Sequence, residues 1–149
     1  LEGGEKAMAD TQGNYAVDTS RIYLTGLSMG GFGTWTWGPA KSDVFAALMP
    51  ICGGGRLEGI SRLGNPASAE KFLTLEERVQ RMAKMPVYAF HGADDEVVKP
   101  ELSREMVELI TAAGGEVKYE EFPETGHNSW DKAYGSAEAI AWLFEQKKP

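Results

Sequence analysis

The sequence has few of the residues that build disulfides and metal centres. It contains one cysteine, Cys52, and two histidines, His91 and His127. A single cysteine excludes an internal disulfide and a thiolate cluster, and two histidines far apart in the chain argue against a histidine-rich metal site. We therefore expect neither a metal ion nor another cofactor.

Positive charge and long apolar runs are also scarce. The 15 Lys and Arg side chains are outnumbered by 22 Asp and Glu, which gives a formal net charge of −7. Because phosphate backbones are bound by basic surfaces, we expect no nucleic-acid partner. No apolar run reaches the length of a membrane span, and no signal peptide is visible. We expect a soluble chain, and its compartment stays open between the cytoplasm and secretion after signal removal.

The length of 149 residues fits a single domain, residues 1–149, and the hydrophobic content of 42% is ordinary for a globular protein. Apolar runs typical of buried strands alternate with amphipathic stretches typical of helices. The predicted strands are Ile22–Thr25, Val44–Ile51, Val87–Phe90 and Glu116–Phe122; helices are predicted over Glu5–Asp10, Gly31–Gly38, Glu101–Ala113 and Ala137–Gln146, and another starts at Thr74 and ends before Pro86. This alternation predicts an α/β fold with a parallel sheet of about four strands. Residues 56–73 are expected to form a loop or small flap.

The most informative stretch is Gly26-Leu27-Ser28-Met29-Gly30, a G-x-S-x-G sequence that directly follows the apolar run Ile22-Tyr23-Leu24. A sharp turn from a buried strand into a helix would hold the Ser28 hydroxyl clear of the backbone. We expect the crowding of that turn to require glycine two residues on either side of the serine. The helix that follows would aim backbone N–H groups at an oxyanion above Ser28. The alternative is a glycine-rich packing turn with an incidental serine.

Candidate acids and bases for Ser28 follow the later strands, because the chemistry of parallel sheets gathers at the carboxyl ends of the strands. Asp94 and Asp95 are both candidates for the acid. The base should be a histidine, the residue type that exchanges protons near neutral pH. His127 lies on a loop after the last strand and can reach between an acid and Ser28. His91 ends its own strand, so we expect its ring to hydrogen-bond the turn there; the alternative for His127 is a solvated loop histidine.

Three segments together resemble bacterial α/β-hydrolase serine esterases. The groups concerned are the phospholipase/carboxylesterase, dienelactone-hydrolase and polyhydroxybutyrate-depolymerase-like enzymes. The segments are Asp18-x-x-Arg21 through Gly31, His91-Gly92-x-x-Asp95-x-x-Val98, and Gly126-His127-Asn128-Ser129-Trp130. The resemblance implies a catalytic triad of Ser28, Asp95 and His127, with the Met29 N–H in the oxyanion hole. It selects Asp95 over Asp94.

Two features around this expected site carry further expectations. Trp130, beside the histidine, is expected to line an acyl or aryl pocket or to serve as plain packing. Such enzymes usually have further strands before the elbow, and a loop among them supplies a second oxyanion donor. The sequence here starts just before the elbow strand, so we expect a minimal version of the fold. The Gly53–Gly55 loop is a speculative substitute for the second donor.

The expected activity is hydrolysis of small carboxylic esters through an acyl-enzyme on Ser28. Two alternatives stay open: a serine peptidase of the prolyl-oligopeptidase type, which shares these motifs, and a catalytically weak remnant that binds a partner. The strand over residues 21–25 should form an apolar sheet edge with unpaired backbone groups. We therefore expect a homo-oligomer, most simply a two-fold dimer that covers this edge, or an N-terminal segment that folds back over it.

Overall fold

A computed structural model of the protein describes residues 2–56 and 73–148. In this part of the chain, helices flank a four-stranded parallel sheet. In chain order the elements are α1 (Glu2–Asn14), β1 (Tyr23–Leu27), α2 (Met29–Ala40), β2 (Ala47–Ile51), α3 (Leu75–Met82), β3 (Val87–Gly92), α4 (Glu101–Ala112), β4 (Val117–Phe122), α5 (Trp130–Gly135) and α6 (Ala137–Glu145). None of these helices has both the length and the apolar character that crossing a bilayer requires.

The strands lie in the order β1-β2-β3-β4, and every neighbouring pair is parallel. Successive side chains of a strand point to opposite faces, so each strand contributes to two apolar clusters. One cluster joins Leu48 and Val87 to side chains of α2, α3 and α4. The other joins Met49 and Phe90 to side chains of α5 and α6. The predicted α/β class with about four parallel strands is confirmed.

Burial differs between the central and outer strands. β2 and β3 are buried along their whole length, whereas β4 alternates between half-buried and exposed positions, as predicted for an outer strand. The expectation of a buried strand at Ile22-Tyr23-Leu24 holds only in part, because these three residues are half-buried. β1 has a neighbour on one side only within the described sheet.

The helix boundaries follow local sequence signals in most places. α3 begins with a capping box: Thr74 Oγ1 accepts the Glu77 N–H at 3.1 Å, and Glu77 Oε2 accepts the Thr74 N–H at 2.8 Å. α1 is longer than the predicted Glu5–Asp10. Its Glu5 carboxylate pairs with Lys41, the residue directly after α2, at 2.7 Å. The predicted flap over residues 56–73 falls almost entirely on residues 57–72, outside the described part.

The close approach of the start of α2 to the end of β2 depends on Gly31. A Cβ at Gly31 would overlap the Ile51 carbonyl oxygen and would lie 3.1 Å from the Gly53 backbone. No atom lies within 4 Å of the corresponding position at Gly33. The sequence predicts that Gly31 and Gly33 both let the helix lie close to the sheet. Of these two glycines, only Gly31 does so.

We predict that Gly31→Ala and Gly33→Ala change stability in opposite directions. The first should lower the free energy of unfolding by about 1–3 kcal/mol, because the added methyl forces α2 away from β2. The second should raise it by up to about 1 kcal/mol, because alanine is the better helix former and meets no atom. Urea unfolding of both variants measures the difference. Equal effects would contradict this account of the α2 packing.

We still predict self-association, because β1 has a neighbouring strand on one side only within the described sheet. Tyr23 pairs with Ala47 of β2 on one side, while its hydroxyl donates to the Gln146 carbonyl at 2.9 Å, so the chain after α6 reaches β1 without adding a strand to it. We propose that a second copy covers the β1 edge. Sedimentation equilibrium at micromolar concentration should give a mass above the 16.2 kDa of one chain. A monomer with slow amide exchange along β1 would exclude the dimer.

Candidate active site

Ser28 occupies a strained turn between β1 and α2. Its backbone has φ 52° and ψ −116°, a conformation that residues with a side chain rarely adopt and that costs on the order of 1–3 kcal/mol. Ser28 is the N-cap of α2, yet its side chain makes no capping bond to that helix. The hydroxyl is consequently available for other contacts, as the G-x-S-x-G pattern predicts for a nucleophile elbow.

The crowding of this turn is on one side of Ser28 only. A Cβ at Gly26 would overlap the Gly30 carbonyl group, so only glycine fits there. At Gly30 itself no atom lies within 4 Å of a built Cβ. The expectation that both flanking glycines are required is therefore wrong for Gly30, because the residue whose Cβ would collide with the sheet is Gly31.

Asp95 lies in the loop after β3 and is buried, with 2% of its surface exposed, whereas Asp94 beside it is exposed. The Asp95 Oδ1 atom accepts the N–H groups of Val97 and Val98, each at 2.9 Å. Burial by itself raises the pKa of the Asp95 carboxyl, but hydrogen bonds from His127 and from these two amides leave it below its ordinary value. The carboxyl group is therefore ionised at neutral pH.

The ring of His127 lies between Asp95 and Ser28. Its Nδ1 is 2.8 Å from Asp95 Oδ2, and its Nε2 is 2.9 Å from Ser28 Oγ. Because an ionised carboxylate can only accept, Nδ1 carries the proton of the neutral ring and Nε2 is left to accept the Ser28 hydroxyl proton. The three residues that the sequence analysis selects thus form one continuous line of hydrogen bonds.

The loops that carry Asp95 and His127 are packed against each other. A Cβ at Gly92 would overlap the carbonyl oxygens of Thr125 and Gly126, and the Asp94 N–H donates to the Thr125 carbonyl at 2.9 Å. This contact fixes the separation of the two loops. The acid and the histidine therefore keep their distance through backbone packing as well as through their own hydrogen bond.

α5 ties the histidine loop to the elbow strand. The helix starts at Trp130, directly after the His127 loop, and the Tyr134 hydroxyl lies 2.9 Å from Thr25 Oγ1 in β1. The Thr25 hydroxyl in turn donates to the Met49 carbonyl at 2.7 Å. α5 is not among the predicted elements, because a helix of six residues has too little periodicity to stand out from a loop.

His91 makes a different set of contacts from His127. Its ring is fully buried, with Nδ1 2.7 Å from Ser103 Oγ and Nε2 2.9 Å from the Val98 carbonyl oxygen. The ring nitrogens are thus engaged by the turn after β3 and by α4, and the described contacts join neither of them to Ser28. The geometry agrees with the interpretation of His91 as a histidine that hydrogen-bonds its turn.

Donors for an oxyanion near Ser28 are supplied in part. Met29 is the first residue of α2, and the N–H groups of a first helical turn have no carbonyl partner within the helix. The expected substitute donor loop does not fit the role. Gly53, Gly54 and Gly55 are buried, and a Cβ at each would collide with Gly31, Leu102 and Met106 respectively. The loop serves close packing instead of facing an open site.

Trp130 and Cys52 contact the hydrogen-bonded residues Ser28 and His127 from the side. Trp130 is half-buried and meets the His127 ring edge-to-face, with ring centroids 5.4 Å apart. Cys52, which is not among the predicted site residues, accepts the Ser28 N–H on its Sγ at 3.2 Å. Burial raises the pKa of the Cys52 thiol, so it stays protonated. Its position directly after the β2 strand is the one sequence signal that points to it.

The donor atoms of Cys52, Asp95 and His127 form a cluster of the kind that can hold a metal ion, because they lie within 4.8 Å of one another. Each is already engaged. Asp95 and His127 bond each other, and the Cys52 sulfur accepts the Ser28 amide. Hydrogen bonds within the cluster and to Ser28 therefore already occupy these donor atoms.

Comparison with known proteins agrees with this geometry. A family model described as the prolyl oligopeptidase family matches residues 5–148. A thermostable esterase of known structure superposes with a TM-score of 0.81 at 36% identity, over 99% of this chain and 37% of that one. The acylaminoacyl peptidase of Pyrococcus horikoshii shares the fold, with a TM-score of 0.65 at 20% identity, over 87% of this chain and 23% of that one.

One curated relative matches over a shorter region. Poly(3-hydroxyalkanoate) depolymerase C of Paucimonas lemoignei is 46% identical over 50 residues, which are 33% of this chain and 12% of the depolymerase. The chain therefore spans a minor part of the length of each of these relatives. Since the family model nevertheless covers almost the whole chain, and the sheet and helices superpose on those of the esterase, the protein belongs to the prolyl oligopeptidase family of α/β-hydrolases.

Proposed function

We propose that the protein hydrolyses carboxylic esters through an acyl-enzyme formed on Ser28. The observation that supports this most directly is the line from Ser28 Oγ through His127 to Asp95, with contacts of 2.9 and 2.8 Å. A nucleophile, a base and an orienting acid within hydrogen-bond reach of one another are the arrangement that acyl transfer needs.

The reaction proceeds in two halves. The His127 Nε2 atom takes the hydroxyl proton while Ser28 Oγ bonds to the ester carbonyl carbon, and the same proton then passes to the departing alcohol oxygen. The acyl group stays on Ser28. Water then loses a proton to His127 and attacks the acyl carbon, the Ser28–acyl bond breaks as His127 returns that proton to Ser28 Oγ, and the carboxylic acid leaves. Asp95 stays ionised throughout and holds the Nδ1–H tautomer of His127.

The Met29 N–H is the proposed oxyanion donor in both halves. Loss of one such donor typically lowers turnover by roughly 10²–10³. With the Met29 amide as the one donor assigned, the described residues support a slower reaction than a site with two donors would. Trp130 meets the His127 ring edge-to-face, and this contact supports our proposal that it lines an apolar wall for the acyl group.

The nature of the relatives supports an ester as substrate. The thermostable esterase is the more similar of the two superposed structures, and the depolymerase that matches 50 residues of this chain acts on a poly(3-hydroxyalkanoate), a polyester. In an ester and in a polyester alike, the bond that is hydrolysed joins a carbonyl carbon to an oxygen. We infer a small ester as the substrate of this chain, with no nucleic acid as partner.

A peptidase activity is the second candidate. It is favoured by the family model, described by the name of an oligopeptidase, and by the shared fold of the acylaminoacyl peptidase. The attack on the carbonyl carbon is the same for an amide, but the leaving nitrogen must be protonated by His127 before the bond breaks. A third candidate is a weakly catalytic chain that binds a partner through the same surface.

We predict that Ser28→Ala and His127→Ala abolish ester hydrolysis without unfolding the chain, because they remove the proposed nucleophile and the proposed base. Initial rates on p-nitrophenyl esters and a circular-dichroism spectrum of each variant measure the two effects. Full activity in His127→Ala, with loss in His91→Ala, would overturn the assignment of the base.

The two neighbouring aspartates provide a matched control. Asp95→Asn should lower kcat by about 10⁴, because the amide no longer holds the Nδ1–H tautomer of His127. Asp94→Asn should change kcat little, because Asp94 is exposed beside the site. Equal losses in the two variants would count against Asp95 as the acid.

We predict that the wild-type chain hydrolyses p-nitrophenyl esters faster than a peptide p-nitroanilide with a matched acyl group. A series of esters of increasing acyl length, run beside the anilide, gives the comparison from one chromophore. A faster anilide would favour the peptidase. Failure of a fluorophosphonate probe to label Ser28 in the folded chain would favour the binding remnant over both enzymes.

A further inference from the structure

The buried histidine His91 also contacts the Asp95 carboxylate. His91 at the end of β3 and Ser103 in α4 are both buried, with 0% and 1% of their surface exposed. The His91 Nε2 atom is 2.9 Å from the Val98 carbonyl oxygen and 3.3 Å from Asp95 Oδ2. Its Nδ1 atom is 2.7 Å from Ser103 Oγ. None of these contacts enters the proton transfers described above.

The surroundings of Nε2 determine which nitrogen of His91 carries the proton. Nε2 faces a carbonyl oxygen and a carboxylate oxygen, and neither can donate a hydrogen bond. A bare Nε2 would place three lone pairs against one another in a buried site, which is costly. Nε2 therefore carries a proton, shared between the Val98 carbonyl and the Asp95 carboxylate.

The Nδ1 side of the ring is then an acceptor if the ring is neutral. Burial lowers the pKa of His91, and the favourable contacts with Val98 and Asp95 offset this only in part. One further charged group acts on the ring: Glu121, its partner in β4, whose carboxylate is itself paired with Arg104 of α4 at 2.6 and 2.8 Å. The ring stays neutral, so Nδ1 accepts the Ser103 hydroxyl proton.

The single hydroxyl proton of Ser103 has two acceptors within reach. Its oxygen lies 2.7 Å from His91 Nδ1 and 3.2 Å from the Gly53 carbonyl oxygen. The shorter contact takes the proton when the ring is neutral. Ser103 thereby holds the Nε2–H tautomer of His91 by donating to its Nδ1, whereas Asp95 holds the Nδ1–H tautomer of His127 by accepting from it.

We propose that His91 is a positioning residue for the reaction, which orients the Asp95 carboxylate through its Nε2–H and has its own tautomer fixed by Ser103. This inference rests on the proposed role of Asp95. Oδ1 receives the Val97 and Val98 amides, and Oδ2 is shared by the rings of His127 and His91. Donors on both oxygens prevent rotation of the carboxylate away from His127.

The bond to Val98 extends this effect to the loop backbone. Val98 donates its N–H to Asp95 and accepts the His91 Nε2–H on its carbonyl, so both polar groups of this residue are used to hold the acid loop. Loss of the His91 donor would loosen the Asp95 side chain and its loop together. Substrate does not contact this region in the proposed mechanism, so the effect should fall on kcat.

Two substitutions of His91 separate donation to Asp95 from plain filling of space. A glutamine side chain is long enough to place its amide nitrogen near the Nε2 position, whereas an asparagine amide reaches only the Nδ1 position. His91→Asn should lower kcat about ten- to hundred-fold, the loss expected for a hydrogen bond to a charged group, with KM unchanged. His91→Gln should recover most of that loss. Equal kcat values in the two variants, or a loss confined to KM, would overturn the proposal.

Nuclear magnetic resonance tests the same arrangement without any substrate. The chain has only two histidines, so ¹⁵N labelling of histidine gives a spectrum of two rings. His91 should show a protonated Nε2 and a bare Nδ1 at neutral pH, because burial lowers the pKa of its ring. A protonated Nδ1 at neutral pH would contradict the tautomer and with it the proposal.

The downfield proton of His127 Nδ1, bonded to Asp95, completes the test and does not depend on activity. It should persist in His91→Gln and weaken or vanish in His91→Asn. Persistence in both variants would overturn the positioning role. If the wild-type chain hydrolyses no ester or anilide while this pattern holds, the proposed function fails and the orientation of Asp95 by His91 stands.

Discussion

The geometry of the site depends on one buried negative charge. Removing a carboxylate from water is strongly unfavourable unless donors replace the lost hydration, and Asp95 is almost fully buried. Two backbone amides and two histidine rings surround its oxygens. Each donor comes from a segment that must be placed correctly: the loop after β3, the end of β3 itself and the loop after β4. The need to compensate this charge therefore links the elements that carry the site.

The position of the nucleophile follows from a different constraint, which is close backbone packing. Ser28 adopts a left-handed conformation because the chain must turn from β1 into α2 within one residue. Gly26 makes room for the Gly30 carbonyl, and Gly31 lets α2 lie against the end of β2. The Ser28 N–H donates hydrogen bonds to the Ile51 carbonyl and to the Cys52 sulfur. Packing thus places the serine, and charge compensation places its partners.

Features carried by short stretches of chain could be predicted, and those formed between distant residues could not. Alternating apolar runs predict the four strands, and the elbow glycines predict the turn at Ser28. The single-sided crowding at Gly26 depends on which carbonyl faces which Cβ, a detail of three-dimensional packing. The contacts of Cys52 with Ser28 and of Ser103 with His91 join residues from different elements. A one-turn helix such as α5 has too little pattern to be recognised.

The same triad geometry serves esters and amides, so the preference between them depends on the energy of the steps around it. An alkoxide leaves a tetrahedral intermediate more readily than an amide nitrogen, which must be protonated first, and the ester carbonyl is also the easier one to attack. A site with one assigned oxyanion donor, the Met29 amide, stabilises the intermediate less than a site with two donors. That shortfall lowers the rate of either reaction, but it leaves the intrinsically easier ester cleavage the faster of the two. The intrinsic ease of ester cleavage, and not the number of donors, thus favours the ester as the proposed substrate, within a family named for its peptidases.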